Sequence, residues 1–261
     1  MAFPTIVRLS PEAIYQSYTS KPCPIGTLGM DDFGDLYRMC KAGAEISGTP
    51  EYALINANYI ADGTSQDGAQ CDLYSDTAAV GDRIIRIDDD NSATNRPVDH
   101  YEGGHAYFYG GSTAERQVRR IVSSTVGTSA SLYIELDAPL TIAITDGAID
   151  ATPSQYSNVA PALSEASGLE TFVCYQCVGG TIAAGSYFWG HTRGPQLGHY
   201  RATWPGSGQY DKDVYFYLNG SIDSTENCAV AIGTASPQRA GYLLPCNTDS
   251  YGSVFFMLQL E

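Results

Sequence analysis

The feature that most limits how this chain can fold is a series of short apolar segments interrupted by glycine, asparagine, aspartate or proline. Turn signals that recur at roughly 8–12 residues are typical of β-sandwiches and β-barrels. Glycine, tyrosine, threonine and serine are abundant, while leucine is scarce. This bias suits strands and tight turns, because tyrosine, threonine, valine and isoleucine fit a pleated and half-buried surface. We therefore predict an all-β fold, a sandwich or barrel core with an extended N-terminal arm and little helix.

The alternation of apolar and polar residues between the turn signals defines the predicted strands. The segment 113–122 also has helical propensity, but its continuation is rich in β-branched residues, so a strand is favoured there. The predicted strands are residues 35–41, 52–59, 82–88, 105–109, 117–124, 131–136, 171–178, 185–191, 214–218, 229–233, 241–245 and 252–260.

We expect the chain to divide into four segments. Residues 1–24 form the extended arm, with one helical turn capped by Ser10 and started by Pro11. Residues 25–150 form the first half of the β domain, and residues 171–261 form the second half, which could be continuous with the first. Residues 151–170 form a connecting excursion, the best place for a short helix.

Charge excludes several classes of partner. The chain carries 29 acidic residues against 14 basic ones, a net charge of −15. Binding to nucleic acid depends on neutralising phosphates with lysine and arginine, so nucleic acid is not an expected partner. Anionic membrane surfaces are disfavoured for the same reason. No apolar run is long enough to span a bilayer, and no secretory signal is evident, so we expect synthesis in a cytosol.

Cysteine and histidine do not form a convincing metal or redox site. The seven cysteines are scattered, and we expect buried free thiols. Cys174 and Cys177 have CxxC spacing, but their flanks predict a strand without further zinc ligands nearby. The four histidines lack metal-site spacing. The acidic run 88–91 is read as a solvated turn, with a calcium site as the open alternative. No cofactor is predicted.

Catalytic motifs are also missing from the sequence. There is no G-x-S-x-G nucleophile elbow, and the glycine pairs at 103–104 and 110–111 lack the lysine and spacing of a phosphate loop. With so many acidic residues, a pair of carboxylates carries no weight as evidence for a glycosidase. We therefore predict that the chain is not an enzyme, and we assign no catalytic residue.

Two features point to contacts with other proteins. Arg116, Arg119 and Arg120 form the one dense basic cluster, which could pair with carboxylates of a partner or simply be a solvated strand face. Aromatic triplets at 107–109, 187–189 and 215–217 place some rings in the core and others outward. Arg116, Arg119, Arg120 and Trp189 are the predicted partner-interface residues, although core packing is an alternative for the aromatic rings.

Three stretches together resemble structural proteins from the virions of tailed bacteriophages, notably aquatic ones. Residues 28–44 resemble a leader segment that ends in Arg-x-x-Lys-Ala-Gly-Ala, and residues 132–140 resemble a strand ending in Asp-Pro-Leu. Residues 182–195 resemble a Gly-x-Tyr-x-Trp-x-Gln-Thr-x-Gly-Pro signature. The chain departs from these patterns at 33–35 and at Gly190-His191. The resemblance covers the chain from about residue 25 to the C-terminus.

The resemblance implies a protein of the phage head surface, assembled in the cytoplasm of the host bacterium. Such a protein decorates or cements the capsid, with the major capsid protein as partner and with self-association, for example as a trimer. It also implies that the arm reaches a neighbouring capsid subunit, and that Gly185 and the Gly194-Pro195 pair are turns around the Trp189 strand. A carbohydrate- or receptor-binding fibre or tail component is the alternative, and a hydrolase domain is a more distant one.

Overall fold

The structure, a computed structural model, divides the chain into two compact units. Unit 1 comprises residues 1–57 and 158–261, and unit 2 comprises residues 58–157. The second unit is therefore inserted between two segments of the first. The structure describes residues 6–48, 50–57, 69–73, 77–89, 97–109, 116–126, 131–145, 148–162, 171–201, 212–224, 228, 237–245 and 253–261.

The described residues form one short helix and twenty strands, which confirms the all-β prediction. The elements in chain order are β1 (Val7–Arg8), α1 (Pro11–Ile14), β2 (Ser17–Tyr18), β3 (Leu28–Met30), β4 (Leu36–Lys41), β5 (Ala53–Asn56), β6 (Ala69–Leu73), β7 (Thr77–Ala78), β8 (Ile84–Asp89), β9 (His105–Tyr109), β10 (Gln117–Ser124), β11 (Ser131–Leu136), β12 (Ile144–Thr145), β13 (Ala148–Thr152), β14 (Val159–Pro161), β15 (Phe172–Gln176), β16 (Tyr187–His199), β17 (Asp213–Phe216), β18 (Ile222–Asp223), β19 (Arg239–Leu243) and β20 (Ser253–Gln259).

Unit 1 is built on a sheet whose strands run in the order β1-β3-β4-β16-β20-β19-β17-β18. Strand β16 is its centre, because the first half of β16 pairs with β4 and the second half pairs with β20. A register shift between His191 and Arg193 marks the change of partner. Strands β15 and β2 also pair with β16, and β5 and β14 continue the sheet beyond β15. One long strand therefore ties most of unit 1 together.

Two apolar clusters of described residues contribute to the core of unit 1. The larger cluster lies under β17, β19 and β20 and includes Tyr175, Phe216 and Phe256. The smaller cluster joins Leu9 and Ile14 to Trp189 and to residues of β4. Each buried aromatic side chain removes a large apolar area from water, so these rings dominate the stability of the unit.

The N-terminal segment is integrated into unit 1. Strand β1 runs parallel to β3, and β2 pairs with β16. Helix α1 begins as predicted, since Ser10 is its N-cap and Pro11 its first residue. Leu9 and Ile14 are buried in the smaller core cluster. The described residues 6–24 thus form two short strands and helix α1 that pack on their own unit, and a contact of this segment with a capsid subunit stays a prediction.

Unit 2 is a closed antiparallel barrel of six strands in the order β10-β11-β8-β6-β13-β9. Closure leaves no strand edge unpaired in the barrel. Its interior is filled by a single apolar cluster that includes Tyr101, Phe108, Ile121, Ile134 and Ile149. Strands β7 and β12 form a separate two-stranded ladder beside it.

Strand positions agree well with prediction where apolar residues alternate clearly. The strands at 105–109, 117–124 and 131–136 have the predicted bounds. Of the ambiguous segment 113–122, residues 117–122 belong to β10, and residues 113–115 lie outside the described residues. The predicted strand at 229–233 lies outside the described residues. Very short strands such as β1, β3 and β14 were not predicted, because two or three residues carry no readable period.

The division of the chain differs from the predicted one. The boundaries between the units fall at 57–58 and 157–158, not at a connecting excursion over 151–170. Within 151–162 the chain continues β13, turns, and forms β14, with no helix in that described stretch. Residues 163–170 lie outside the described residues. The insertion could not be predicted because β5 meets its partners β14 and β15 about 100 residues later.

Candidate functional site

An apolar surface on unit 1 is the best candidate for a functional site. On the three strands β16, β20 and β19, directly opposed residues share a face of the sheet. Leu197 opposes Phe255, while Met257 opposes Pro195 on one side and Tyr242 on the other. Phe255 is 50% exposed and Tyr242 is 37% exposed. We call these five residues the apolar face.

The opposite side of the same strands explains why the apolar face is unusual. Val254, Phe256 and Leu258 are buried in the core of unit 1, as expected for the inner side of an antiparallel sheet. The outer side of such a sheet is normally polar, because it faces water. An outer side with five apolar residues is instead typical of a surface that another molecule covers.

Polar residues surround the apolar face at both ends of the strands. At one end Arg239 donates hydrogen bonds to Asp213 Oδ1 (2.7 Å from Nη2) and to Gln259 Oε1 (2.8 Å). At the other end the Glu51 carboxylate accepts a 2.7 Å hydrogen bond from Ser253 and lies 3.9 Å from His199. An apolar centre with a polar rim is the usual anatomy of a protein–protein interface.

A second candidate surface lies on the outside of the barrel of unit 2. Ala106 and Phe108 point into the barrel core, so Tyr107 and Tyr109 point outward from β9. Their rings meet edge to face at 4.9 Å. Val118 of β10 opposes Tyr107 and is exposed. We call Tyr107, Tyr109, Val118 and the neighbouring Arg120 the Tyr/Arg face, a composition enriched at interfaces.

Asp150 of β13 borders the Tyr/Arg face, because it opposes Tyr107. Burial raises the pKa of its carboxyl group. The Oδ1 atom is enclosed and accepts no hydrogen bond. A poorly satisfied carboxylate destabilises the folded barrel when it is charged.

The three arginines predicted as interface residues are placed differently by the fold. Arg116 is exposed just before β10. Arg120 lies on the Tyr/Arg face, opposite His105, and its backbone amide donates to Asp137. The guanidinium of Arg119 donates hydrogen bonds to residues of its own unit: to Val118 O (2.8 Å), Gln117 Oε1 (3.0 Å) and Pro139 O (3.3 Å). Its interface role stays a prediction, and its internal contacts favour a structural one.

Arg119 belongs to a group of hydrogen-bonded polar residues at one end of the barrel. We call this group, Gln117, Arg119 and Thr141, the plug. Gln117 is buried, and its Oε1 accepts hydrogen bonds from Thr141 N and Oγ1 as well as from Arg119. Its Nε2 donates to Ile142 O at 2.7 Å. These bonds fasten the segment after β11 across the end of the barrel and satisfy a buried amide that would otherwise be costly.

Trp189 lies in the core. Its side chain is 3% exposed and packs in the smaller cluster of unit 1 with Leu9, Ile14 and Met39. Core packing was the alternative that the aromatic triplets left open, and the burial of Trp189 makes its ring inaccessible to a partner. Gly194 and Pro195 likewise lie inside β16, so they do not form the expected turn after Trp189. Gly185, with φ of 80°, does lie in a turn before β16.

The five cysteines whose side chains are described are free thiols; Cys40, Cys174 and Cys228 are buried as expected, whereas Cys23 and Cys177 are partly exposed. Cys40 of β4 and Cys174 of β15 approach each other to 3.8 Å between sulfur atoms across the central strand β16. A side chain on Gly190 would meet Cys174 Sγ at 2.6 Å and Cys40 Sγ at 2.9 Å. Only glycine therefore fits at this position without displacing the two cysteine side chains. Burial raises the pKa of Cys177 to about 12, so that thiol is unreactive.

A hollow in unit 1 is lined by three acidic residues, Asp31, Asp32 and Asp35, and by the buried His191. His191 Nδ1 lies 2.8 Å from Gln196 Oε1, and His191 Nε2 lies 2.9 Å from Arg193 O. Gln196 Nε2 donates to Leu197 O, which fixes the orientation of the amide. Both ring nitrogens therefore lie within hydrogen-bond distance of an oxygen atom. Burial raises the pKa of Asp35, and the positive charge of His191 opposes that shift.

The polar groups of this hollow hold a loop in place. Asp31 Oδ1 accepts hydrogen bonds from the amides of Phe33 and Asp35, both at 2.9 Å. This arrangement closes a turn that leaves the Phe33 side chain 92% exposed. The sequence does not reveal the grouping, because Asp31 and His191 are distant in the chain.

No group of three or more potential metal ligands is found among the described residues. The acidic run 88–91, which was left open as a calcium site, falls outside the residues whose side chains are described. Within the described part of the chain, no helix is long and apolar enough to cross a membrane.

Comparison with known proteins gives no match for this chain. No family model, no curated protein and no solved structure matches it.

The apolar face left a partial trace in the sequence. The alternation Phe255–Met257–Gln259 against Val254–Phe256–Leu258 gives a strand that is apolar on both sides. A strand that is apolar on both sides is ambiguous, because the second side can be buried by the same chain. Only the structure reveals that the outer side of β20 stays exposed.

Proposed function

We propose that this chain is a structural component of a bacteriophage virion, which decorates or cements the capsid exterior through non-covalent contacts. The major capsid protein is its partner, and copies of the chain associate with each other. The observation that carries the proposal is the apolar face on β16, β20 and β19. The resemblance of three sequence stretches to phage virion proteins supplies the identity of the particle.

The apolar face supports adhesion for an energetic reason. Apolar area removed from water stabilises a complex by roughly 25 cal/mol per Å². Aromatic residues near the centre of an interface dominate its binding energy. Phe255 is half exposed, opposes Leu197 and lies on the same side of β20 as Met257. Its burial against a partner would be the largest single contribution.

Two adhesive surfaces on one chain suit a cementing role. Unit 1 has the apolar face, and unit 2 has the Tyr/Arg face. A protein with two such surfaces can bind two neighbours in a lattice, or one capsid subunit and a second copy of itself. The acidic charge of the chain keeps the free protein from associating through these surfaces non-specifically before assembly.

The first test is the number of copies in purified particles, measured by quantitative mass spectrometry against the major capsid protein. Decoration of the lattice predicts about one copy for every one to three capsid subunits. A handful of copies per particle would instead place the protein at a vertex, fibre or tail. Its absence from the particle would overturn the proposal.

The second test changes the apolar face itself. The substitution Phe255→Ser should weaken binding to capsids that lack this protein by about 30-fold, as expected for the loss of an aromatic anchor. Phe33→Ser is the matched control, because Phe33 is more exposed than Phe255 and lies outside the face. Binding can be measured by co-sedimentation, with circular dichroism to verify folding. Equal binding by both variants would contradict a role for this face.

Self-association can be separated from capsid binding by analytical ultracentrifugation of the isolated protein. If Phe255→Ser dissociates an oligomer, the apolar face joins copies of the chain. The capsid contact is then assigned to the Tyr/Arg face, and Tyr107→Ser becomes the variant that should release the protein from the capsid.

A further inference from the structure

The outer side of β16 and β20 is arranged in four rows of residues that run across the strands. Alternate residues of a strand lie on the same side of its sheet, and opposed residues of two strands form one row. The rows, defined by the pairing of β16 with β20, are Arg193 with Gln259, Pro195 with Met257, Leu197 with Phe255, and His199 with Ser253. The two middle rows belong to the apolar face, and the two end rows are polar.

The first end row, which we call the arginine row, has a positive charge. Arg193 is exposed, and within the described part of the chain its guanidinium has no hydrogen-bond or ion-pair partner. Arg239 joins this row through its 2.8 Å hydrogen bond to Gln259 Oε1, and its own charge is paired with Asp213. Arg193 is therefore available to pair with a carboxylate of another molecule.

The opposite end row, which we call the glutamate row, has a negative charge. The carboxylate of Glu51 joins this row, because its Oε2 accepts a 2.7 Å hydrogen bond from Ser253 and lies 3.9 Å from His199 Nδ1. These contacts hold the carboxylate in place, and its side chain is still 28% exposed. Glu51 can therefore accept a hydrogen bond from a cation outside the chain.

The two charges lie at equal distances from the middle of the apolar face. Successive rows are about 7 Å apart, so each end row lies about 10 Å from the line midway between the apolar rows. A two-fold axis along that line superimposes the surface on itself with its ends exchanged. Arg193 of one copy then meets Glu51 of the other, and the Phe255 row meets the Met257 row. Such self-complementarity is what an isologous interface requires.

We propose that a second copy of this chain covers the apolar face, with the two sheets packed face to face and each strand antiparallel to its counterpart. Sheets in this arrangement lie about 10 Å apart, with side chains of both interdigitated. Phe255 of one copy packs against Met257 and Tyr242 of the other, and Arg193 pairs with Glu51 at both ends. This inference rests on the proposed function, in which copies of the chain associate, and it names the surface and the orientation.

The charge pattern favours a second copy as the occupant. Arg193 and Arg239 balance Glu51 and Asp213, so these four residues add no net charge to the surface, although the whole chain carries −15. Two copies can therefore meet here without adding like charges at the contact. Pairing between opposite charges fixes orientation more than it raises affinity, and the apolar rows supply the attraction.

The size of the contact predicts a weak dimer. Strand β20 has seven residues. Three such strands, about 24 Å long and about 4.8 Å apart, give a footprint of about 350 Å² per copy, which is below the standard size of a stable interface. We therefore expect a Kd of about 10–100 µM. Such a dimer forms readily at the high local concentration of a capsid lattice.

The first experiment is sedimentation velocity of the full chain in low-salt buffer, at concentrations up to about 0.5 mM, which is well above the expected Kd. Arg193→Glu sets two carboxylates against each other at both ends of the contact, and it should weaken the dimer by about tenfold or more. Arg116→Glu is the matched control, because it makes the same charge change on an exposed residue of unit 2. It should leave the Kd unchanged.

An equimolar mixture of Arg193→Glu and Glu51→Arg chains tests the orientation. Each variant alone sets like charges together at both ends and should dimerise weakly. In the mixed dimer one end keeps the native pair and the other end has the reversed pair. The mixture should therefore dimerise with a Kd within about threefold of that of the unmodified chain. Circular dichroism verifies that each variant is folded.

The inference is overturned if the unmodified chain stays monomeric at about 0.5 mM. It is also overturned if Arg193→Glu dimerises as the unmodified chain does, if the Arg116→Glu control loses the dimer equally, or if the mixture of folded variants stays as weak as its components. Arg193→Glu decides by itself if Glu51→Arg does not fold, because Arg193 is exposed and without a side-chain partner among the described residues.

This outcome is distinct from that of the proposed function, because the copy number in particles is measured separately. A monomeric chain that is present at lattice copy number overturns the dimer and leaves the virion role in place. A dimeric chain that is absent from particles overturns the virion role and supports the dimer.

Discussion

The two units of this chain differ in how the faces and edges of their β-sheets are covered. Unit 2 closes its strands into a barrel, fills the interior with one apolar cluster, and fastens one end with the Gln117–Arg119 plug. Unit 1 keeps an open sheet centred on β16, with one side buried and the apolar face on the other side exposed. The barrel leaves no strand edge unpaired, whereas the open sheet keeps the apolar face exposed, which a partner would cover under the proposed function.

The largest expected effect comes from deleting a core ring in each unit. Phe108→Ala in the barrel and Phe256→Ala in the sheet should each lower the free energy of unfolding by about 3–5 kcal/mol, because both rings are fully buried and leave cavities. Denaturant unfolding measures both values.

Tryptophan fluorescence can tell the units apart in that experiment. Both tryptophans, Trp189 and Trp204, belong to unit 1, and none occurs in residues 58–157. Phe108→Ala should therefore shift the circular dichroism transition, which follows both units, more than the fluorescence transition. Phe256→Ala should shift the fluorescence transition. If both probes move together for both variants, the units unfold as one, and the contrast between them does not extend to stability.

A smaller effect is expected from the arginines of the barrel. Arg119→Ala should cost about 1–3 kcal/mol of unfolding free energy, because it removes several hydrogen bonds of the plug. Arg116→Ala, on an exposed residue, should change it by less than about 0.5 kcal/mol. Thermal unfolding of the two variants measures the difference. Equal and small effects would mean that the plug contributes little to the barrel.

The smallest effect concerns Asp150 at the Tyr/Arg face. Burial raises the pKa of its carboxyl group in the folded state, so the charged form opposes folding and the barrel gains stability as pH falls through that raised pKa. Asp150→Asn should therefore raise the melting temperature slightly at neutral pH, and the advantage should disappear below the usual pKa of aspartate. An advantage that persists at acidic pH would show that the carboxyl charge is not the cause.

Much of the local structure could be predicted from the sequence. Strands β9, β10 and β11 follow clear alternation, and the cap of helix α1 follows from Ser10 and Pro11. The free thiols follow from the scattered cysteines. These features depend on neighbouring residues, and neighbours are what a sequence displays directly.

The candidate sites could be predicted less well. Arg119 and Arg120 are adjacent in sequence, but Arg119 fastens the barrel end while Arg120 lies on the outer wall. Trp189 was expected at an interface and is buried. The sequence alone offers no way to assign these roles, because each depends on which side of a strand the rest of the chain covers.

The sequence by itself determined that this protein is built of β-strands, since alternation, turn residues and β-branched side chains act over a few residues. Tertiary structure decided the rest. It set the insertion of a closed barrel between β5 and β14, the meeting of Cys40 and Cys174 over Gly190, and the exposure of Phe255. Each of these depends on pairing between residues that are far apart in the chain, and the register of such pairing is set only when the whole core packs.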